Sequence, residues 1–281
     1  MSSRERSTYS TPRRSLRECR ERVEEGCLVL LYIDERRRFI FRARRGGVKG
    51  SDKGVLRHDD VIGLPYGSRV RLSTGVEAWI LKPRPIDLIE LHHRRATQII
   101  YPKDASMIIS LAGIGPGSRV VEVGVGSAAL TTMLAWSVAP DGHVYGYETR
   151  RANLEAARRN LEEAGLADLV TLHHADARAG VEEDGVDAFI VDVPDPWSLL
   201  GVAHRSLRGS GVFVAYMPAV NQVVRLLEAL VEHGGFIGVG VYEVLVREYI
   251  PRPDTLRPRT TMVAHTGYIL SATRINLNHT R

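Results

Sequence analysis

The 281-residue sequence has few cysteines and no long hydrophobic run. Its two cysteines, Cys19 and Cys27, supply neither a framework of several disulfides nor the ligands of a zinc site, so we expect two free thiols. No apolar stretch approaches the roughly 20 residues that span a bilayer, and no apolar segment of a signal peptide stands near the N-terminus. We therefore expect a cytoplasmic protein without a membrane partner.

Basic residues are concentrated near the N-terminus. Residues 1–57 contain 16 Lys and Arg against 8 Asp and Glu, a net charge of +8, whereas the whole chain is at +5. We interpret residues 1–20 as a flexible basic tail, because Ser, Thr and Arg dominate there. The arginines of segments 36–38 and 42–45 flank a strand-like segment instead. Their charge lies on an ordered element and favours a nucleic acid partner.

Short strand-like segments separated by turns predict a small, barrel-like β domain over residues 21–82. Lys82-Pro-Arg-Pro85 is a stiff boundary, since prolines cannot continue a strand ladder or lie inside a helix. Residues 83–105 are assigned to a linker and a helix. We expect Asp104 to be the N-cap of a helix that ends near Leu111.

Strands and helices alternate through the rest of the chain, which predicts an α/β domain with a mostly parallel sheet over residues 106–281. The segment 119–125 is rich in valine, as is typical of a strand buried on both faces of such a sheet. Glu122 interrupts this run, and we expect it to be structural.

A glycine loop follows this strand and predicts a nucleotide-containing ligand. Gly124 and Gly126 end the strand, a helix follows, and the next strand ends on Glu148. Glycines let the backbone approach a ligand closely, and the acid accepts hydrogen bonds from ribose hydroxyls. The loop fits both the dinucleotide fingerprint, whose third position can be the alanine found at Ala129, and the looser loop of S-adenosylmethionine enzymes.

The C-terminal part of the sequence separates these two cofactors. Segments 236–250 and 266–274 are both strand-like, and the connection between them carries three prolines and cannot be a crossover helix. The last two strands must therefore pair antiparallel. A dinucleotide fold keeps alternating, whereas a methyltransferase sheet inserts an antiparallel seventh strand. We therefore predict a Rossmann-like, seven-stranded methyltransferase fold that binds S-adenosylmethionine.

Asp192-Val-Pro-Asp-Pro-Trp197 follows the fourth strand of this domain. Its two prolines stiffen the turn, and Trp197 offers a flat face on which a base can stack. Asp192 stands at the carboxyl end of the strand, where open α/β sheets bind their ligands. The adjacent histidine pairs at 92–93 and 173–174 point to opposite sides, so we expect no metal site.

In combination, these features resemble the tRNA (adenine-N1) methyltransferases that modify position 58 in the T-loop. The resemblance spans about residues 20–275. Its most specific segments are His58-Asp-Asp-Val-Ile-Gly-Leu-Pro-Tyr-Gly-Ser68, Thr97-Gln-Ile-Ile-Tyr-Pro-Lys-Asp104, Asp192-Val-Pro-Asp-Pro-Trp197 and His265-Thr-Gly-Tyr268. It implies S-adenosylmethionine as cofactor, tRNA as substrate and a homotetramer. Archaeal members, which match best, in some cases also modify the neighbouring adenosine.

The sequence departs from the family at two positions. Ala128 stands where the family usually has glycine, and we expect its methyl group to narrow the pocket without blocking it. Ala264 also replaces a frequent glycine, just before His265. Neither change removes a chemical group that the reaction needs.

Roles for individual residues follow from the strand ends and from the resemblance. Asp192 would accept a hydrogen bond from the exocyclic N6 of a flipped adenine, and Tyr101 would pack against or bond to that base; we expect both to be catalytic. Trp197 is also expected to bind the substrate. His265 either contacts RNA or packs against the C-terminal hairpin.

Glu148 would hold the ribose hydroxyls of the cofactor, and Asp176 would accept from the N6 of its adenine. The complete set of expected cofactor-binding residues is Gly124, Val125, Gly126, Ser127, Ala128, Glu148, Asn153, Asp176, Ala177 and Asp192.

Two other functions fit parts of the sequence. An acidic-Pro-Pro-aromatic turn also serves methyl transfer to an exocyclic amine of a nucleic acid base. Some members of the wider family keep the fold but lose the cofactor and act as tRNA-binding subunits without catalysis. The glycine loop, Glu148 and Asp192 argue against that second alternative.

Overall fold

The computed structural model describes residues 19–93 and 98–277. Within these ranges the chain forms two compact units, one comprising residues up to 93 together with 162–166, the other comprising the remainder. The predicted tail lies outside the described residues up to position 18, as does Thr97 of the second family segment. In the described ranges, no helix is both long and apolar enough to cross a membrane.

The first unit is built from short antiparallel strands. Its four-stranded sheet has the order β2-β1-β6-β5 and contains β1 (Leu28–Asp34), β2 (Arg37–Arg42), β5 (Arg69–Arg71) and β6 (Glu77–Leu81). A separate hairpin pairs β3 (Val48–Ser51) with β4 (Gly54–Arg57), and α1 (Pro85–Leu91) follows the sheet. The predicted small N-terminal β domain is therefore present, and α1 extends the unit beyond the expected boundary at residue 82.

Cys19 and Cys27 form a disulfide, so the expectation of two free thiols is wrong. Their Cα atoms lie 5.8 Å apart and both side chains are buried, because the chain turns back at Gly26, where φ is +91°. Closing a loop of this length stabilises a fold by about 2–3 kcal/mol. A single pair of cysteines at short spacing carries no framework pattern, and the sequence therefore gave no sign of the bond.

The second unit contains a seven-stranded sheet in the order β12-β15-β11-β10-β7-β8-β9. The strands are β7 (Arg119–Val123), β8 (His143–Tyr147), β9 (Val170–His173), β10 (Val186–Val191), β11 (Leu207–Met217), β12 (Phe236–Glu243) and β15 (Tyr268–Arg274). Strands β9, β8, β7, β10 and β11 run parallel, whereas β15 lies antiparallel between β11 and β12. This arrangement confirms the predicted methyltransferase sheet with its antiparallel strand.

Five helices belong wholly or partly to this unit. They are α2 (Pro102–Leu111), α3 (Ala129–Val138), α4 (Arg151–Ala164), α5 (Leu200–Ser206) and α6 (Val220–His233). The connection from β12 to β15 contains only the two-residue strands β13 (Tyr249–Ile250) and β14 (Arg257–Pro258), so no crossover helix intervenes.

The valine run of β7 lies at the centre of the sheet, between β10 and β8. Val120 and Val121 are fully buried and Val123 is nearly so. Phe189 of β10 and Phe213 of β11 fill the same core. Burying each of these side chains contributes about 1.5–3 kcal/mol, which fixes the strand ends that carry the polar residues described next.

Helix α2 begins differently from the prediction. Tyr101 is its N-cap and Pro102 occupies the first turn, so the expectation that Asp104 caps the helix is wrong. Proline suits this position because its missing N–H would have had no partner inside the helix. Asp104 lies in the same first turn, is fully buried, and bonds to Lys103 and Thr266.

Candidate active site

A cavity of about 320 Å³ opens at the carboxyl ends of β7, β8, β9 and β10. Its walls are formed by the residues that end these strands, by the start of α3 and by Gln98–Ile100 before α2. Parallel α/β sheets bind ligands at this edge, and the volume suits a small molecule.

Nine of the ten expected cofactor-binding residues line this cavity, and Ala128 is the exception. The expected substrate-binding residues Tyr101, Trp197 and His265 do not line it. The expected cofactor-binding residues are therefore brought together at one cavity, whereas the expected substrate-binding residues lie outside its wall.

Gly124 sits where β7 meets the end of β10. Its φ is +93°, and a Cβ placed there would collide with the backbone carbonyl of Asp192. The Asp192 N–H donates to the carbonyl of Val123 over 2.8 Å in the same region. Only glycine combines this backbone conformation with this close approach, so the loop sequence also fixes the position of Asp192.

Ala128 adopts the left-handed conformation, with φ +65° and ψ +32°, immediately before α3. Glycine reaches this conformation without strain, which explains the usual family residue, whereas alanine carries a cost of about 1–2 kcal/mol. Its methyl group is fully buried and does not line the cavity. The departure from glycine therefore alters backbone energy and does not narrow the pocket as expected.

Glu148 follows β8 and is held firmly by the backbone. Its Oε2 accepts from the Gly126 N–H at 2.9 Å, and its Oε1 accepts from the Arg150 N–H at 2.8 Å. A carboxylate has about four lone-pair sites, so each oxygen keeps one for a ligand. The carboxylate is 7% exposed and lines the cavity, where it can accept from two neighbouring hydroxyl groups.

Asp176, after β9, shares its carboxylate with Arg178. The two oxygens lie 3.1 and 3.0 Å from the Arg178 Nη1, and Oδ1 also accepts from the Arg178 backbone N–H. The same guanidinium donates from Nε to Asp195 at 3.1 Å, which raises the pKa of Arg178 and lowers that of Asp195. Arg178 lines the cavity and was missed from the sequence, where only the Asp-x-Arg spacing marks it.

Glu122 was also missed, because a single acid in a valine run was expected to be structural. Glu122 is 1% exposed and lines the cavity, and its Oε2 has no hydrogen-bond partner among the residues that the structure describes. Burial raises its pKa to about 8, the Thr131 hydroxyl offsets only part of this, and the charges of Asp192 and Glu148 raise it further. A buried acceptor without a partner suits a ligand that brings a proton donor.

Asp192 is the fourth carboxyl group at this cavity, after Glu148, Asp176 and Glu122. In the part of the chain that the structure describes, no hydrogen bond to its carboxylate is found. Burial raises its pKa to about 7, and the negative charge of Glu148 adds to this effect. The negative charges gathered here favour a cationic ligand, which would lower the raised pKa values of Glu122 and Asp192.

Trp197 and Tyr101 lie outside the cavity wall. The ring of Trp197 is partly buried, and the Arg225 guanidinium lies over it at 4.2 Å from the centroid. A stacking base would therefore have only the other face available. Tyr101 is partly buried and directly follows the wall segment that ends at Ile100.

His265 contacts the C-terminal hairpin. Its Nδ1 lies 2.6 Å from the Glu243 carboxylate and its Nε2 lies 3.0 Å from the Pro218 carbonyl. Both partners are acceptors, so both nitrogens must donate, and these bonds raise the pKa of the imidazole. Of the two roles considered, packing against the hairpin is the one for which the structure shows contacts.

Comparisons of the sequence with known proteins match it to a family. Residues 78–257 match the family described as the tRNA methyltransferase complex GCD14 subunit. The tRNA (adenine(58)-N(1))-methyltransferase TrmI of Thermus thermophilus is 33% identical over 247 residues, covering 88% of this chain and 96% of that protein. The tRNA (adenine(57)-N(1)/adenine(58)-N(1))-methyltransferase TrmI of Methanocaldococcus jannaschii is 31% identical, covering 86% and 93%.

A solved structure gives the same fold. The structure of a SAM-dependent O-methyltransferase from Thermotoga maritima superposes with a TM-score of 0.82 at 36% identity. The match covers 90% of this chain and 95% of that one.

Proposed function

Because the chain belongs to the GCD14 family of tRNA methyltransferases, we propose that it transfers a methyl group from S-adenosylmethionine to N1 of adenine 58 in the tRNA T-loop. Adenosine 57 is a second proposed target, since the Methanocaldococcus jannaschii relative is named for both positions. The observation that carries the proposal is the group of four carboxyl side chains around one cavity: Glu122, Glu148, Asp176 and Asp192.

The residues of the cavity fit S-adenosylmethionine. This cofactor offers a ribose diol, an ammonium, a sulfonium and an adenine amine, all of which are cations or hydrogen-bond donors. Glu148 has acceptor capacity for the diol, and the unpartnered Oε2 of Glu122 suits the ammonium. Asp176 would share its oxygens between Arg178 and the adenine amine. When bound, the cofactor supplies an electrophilic methyl group on a positively charged sulfur.

Asp192 would act on the adenine that receives the methyl group. A base stacked inside folded tRNA cannot reach an enclosed cavity, so the adenine must leave its stack. An ionised Asp192 would accept from the exocyclic N6, orient the ring for in-line attack, and stabilise the positive charge that develops on it. Since its pKa is about 7, this role requires a pH above 7 or a bound cation that lowers the value.

Tyr101, Trp197 and His265 are proposed to shape the substrate side of the site. The support for Tyr101 is its position directly after Ile100, which lines the cavity. Trp197 holds the turn after β10 through its contact with Arg225, and His265 fixes the start of β15 through Glu243.

We further propose that the protein binds tRNA as a homotetramer in the cytoplasm. The support for self-association is the outer edge of β12, which pairs with no strand in the described ranges. Ile237, Val239 and Val241 on this strand are exposed by 54, 42 and 42%. An unpaired strand edge with apolar side chains readily associates with another chain.

A methylation assay tests the activity. Purified protein would be incubated with methyl-labelled cofactor and a tRNA transcript, and a transcript with guanosine at position 58 would be the matched control. Nucleoside mass spectrometry should find 1-methyladenosine in the first transcript. Product that is N6-methylated or 2′-O-methylated would indicate another acceptor, and tRNA binding without any transfer would indicate a non-catalytic subunit.

A further inference from the structure

A buried ion pair links two of the family segments, and none of its residues has been given a role so far. Lys103 Nζ donates to Asp104 Oδ1 at 2.8 Å and to the Thr266 hydroxyl at 2.7 Å. The Thr266 hydroxyl in turn donates to Asp104 Oδ2 at 2.8 Å. Lys103 therefore joins the start of α2 to the residue two positions before β15. We call these three residues the clasp.

Every polar group of the clasp has a partner. The third proton of the Lys103 ammonium goes to the Val244 carbonyl at 2.7 Å, and both oxygens of Asp104 are occupied. The lysine side chain is 14% exposed and that of Asp104 is fully buried. A buried pair is maintained only with such complete bonding, since removal of one partner leaves a desolvated charge.

Val244 and Thr266 are the two ends of a long excursion of the chain between β12 and β15. We call residues 244–266 the arm. Most of it is exposed, including Leu245, Tyr249 and Leu256 at 60, 55 and 66%. Lys103 bonds to both ends of the arm and so holds Val244 and Thr266 close together. We call this paired base of the arm its neck.

The clasp lies beside the proposed reaction side of the site. Tyr101 is the N-cap of the helix that carries Lys103 and Asp104. A Cβ on Gly267, next to Thr266, would lie 2.7 Å from the Tyr216 hydroxyl, so glycine is needed for the Tyr216 ring to pack here. Burial raises the pKa of Tyr216 to about 12, and the charges of Asp104 and Asp192 act on the same hydroxyl.

We propose that Lys103, Asp104 and Thr266 are positioning residues for methyl transfer, which hold the neck of the arm against the start of α2 and thereby keep Tyr101 and Tyr216 in place beside Asp192. This inference rests on the proposed function. None of the three residues lines the cavity, so their effect on the cofactor is indirect. The clasp should therefore govern turnover more than cofactor affinity.

Thr266→Val tests the clasp, because it removes the hydroxyl while nearly preserving side-chain volume. We expect kcat to fall by about 10- to 100-fold, as small displacements of reacting groups do, while the Kd for S-adenosylmethionine changes less than about twofold. Thr266→Ser restores the hydroxyl and should recover most of the wild-type kcat. Thr260→Val, at an exposed position of the same arm, is the matched control and should leave kcat unchanged.

The outcomes separate the clasp from the proposed function. Wild-type protein that forms no 1-methyladenosine overturns both. Active wild type with an equally active, stably folded Thr266→Val variant overturns the clasp alone. A Thr266→Val variant that loses activity only in proportion to its unfolded fraction, and is not rescued by serine, also overturns it, because the residue would then be merely structural.

Discussion

The two ends of the cavity hold their carboxyl groups in different ways. At the end proposed to bind the ribose, which we call the ribose end, Glu148 accepts two backbone hydrogen bonds and its orientation is set before any ligand arrives. At the end proposed for methyl transfer, which we call the reaction end, Glu122 and Asp192 have raised pKa values of about 8 and 7. At the first end, the backbone fixes the geometry of the carboxylate. The other carries an electrostatic cost in the ligand-free protein that a cationic cofactor and substrate relieve.

Removing Asp192 should cause the largest effect, which we expect on turnover and not on cofactor binding. We expect Asp192→Ala to lower kcat by about 10²–10³-fold, because one preorganised electrostatic contact to the developing charge is lost. The Kd for S-adenosylmethionine should change far less, since Glu148 remains. Single-turnover methylation at saturating tRNA and cofactor measures this. Near-normal turnover would show that another group orients the base.

Changing Glu148 should weaken binding of the cofactor ribose and leave the groups at the reaction end in place. Glu148→Gln places an amide NH₂ opposite a backbone N–H of Gly126 or Arg150, so one hydrogen bond is replaced by two facing donors. We expect the Kd for S-adenosylmethionine to rise by about 10-fold or more, while kcat at saturation falls less than in Asp192→Ala. Calorimetric titration gives the affinity. Unchanged affinity would mean that the ribose is held elsewhere.

Glu122→Gln should test the electrostatic cost at the reaction end through the pH dependence of protein stability. Burial raises the pKa of Glu122 from 4.5 in the unfolded chain to about 8 in the folded protein. Between these two pH values Glu122 is ionised mainly in the unfolded chain, so the free energy of unfolding falls as the pH rises. The Gln variant should match the wild type near pH 4 and be the more stable protein near pH 8.5, with weaker cofactor binding. Thermal unfolding at both pH values, without ligand, tests this. A variant that is less stable at pH 8.5 contradicts the assigned pKa.

Ala128→Gly should have the smallest effect and serves as a control within the loop. Relief of left-handed strain is opposed by the greater freedom of glycine in the unfolded chain, so we expect a net change within about 1 kcal/mol. Because the methyl group does not line the cavity, Kd and kcat should stay at wild-type values. A clear gain in cofactor affinity would show that the methyl group does restrict the pocket.

Patterns that depend on neighbouring residues were predictable from the sequence. The valine run gave the central strand, and the prolines between residues 251 and 258 gave the antiparallel end of the sheet. The glycine loop and the acids at the strand ends predicted much of the set of residues that line the cavity. These features follow from period, chain direction and backbone freedom, which are local properties.

Features that depend on distant partners were not predictable. Three arginines of the N-terminal unit that were expected to contact nucleic acid also form ion pairs: Arg37 with Asp52, Arg42 with Glu163 and Arg45 with Glu25. Glu163 is 121 residues from its partner, so no local pattern could indicate this pair. The expected RNA contact stays a prediction, and Arg36, Arg44 and Arg45 are the exposed members of this set.

Proton release on cofactor binding tests the contrast between the two ends most directly. Calorimetric titration of S-adenosylmethionine near pH 7, in buffers of different ionisation enthalpy, counts the protons exchanged. If Glu122 and Asp192 are largely protonated without ligand and ionise beside the bound cation, the wild type should release about one proton. Glu122→Gln should release clearly less. Tight binding without proton release in the wild type would contradict the account, because both carboxyl groups would then be ionised already.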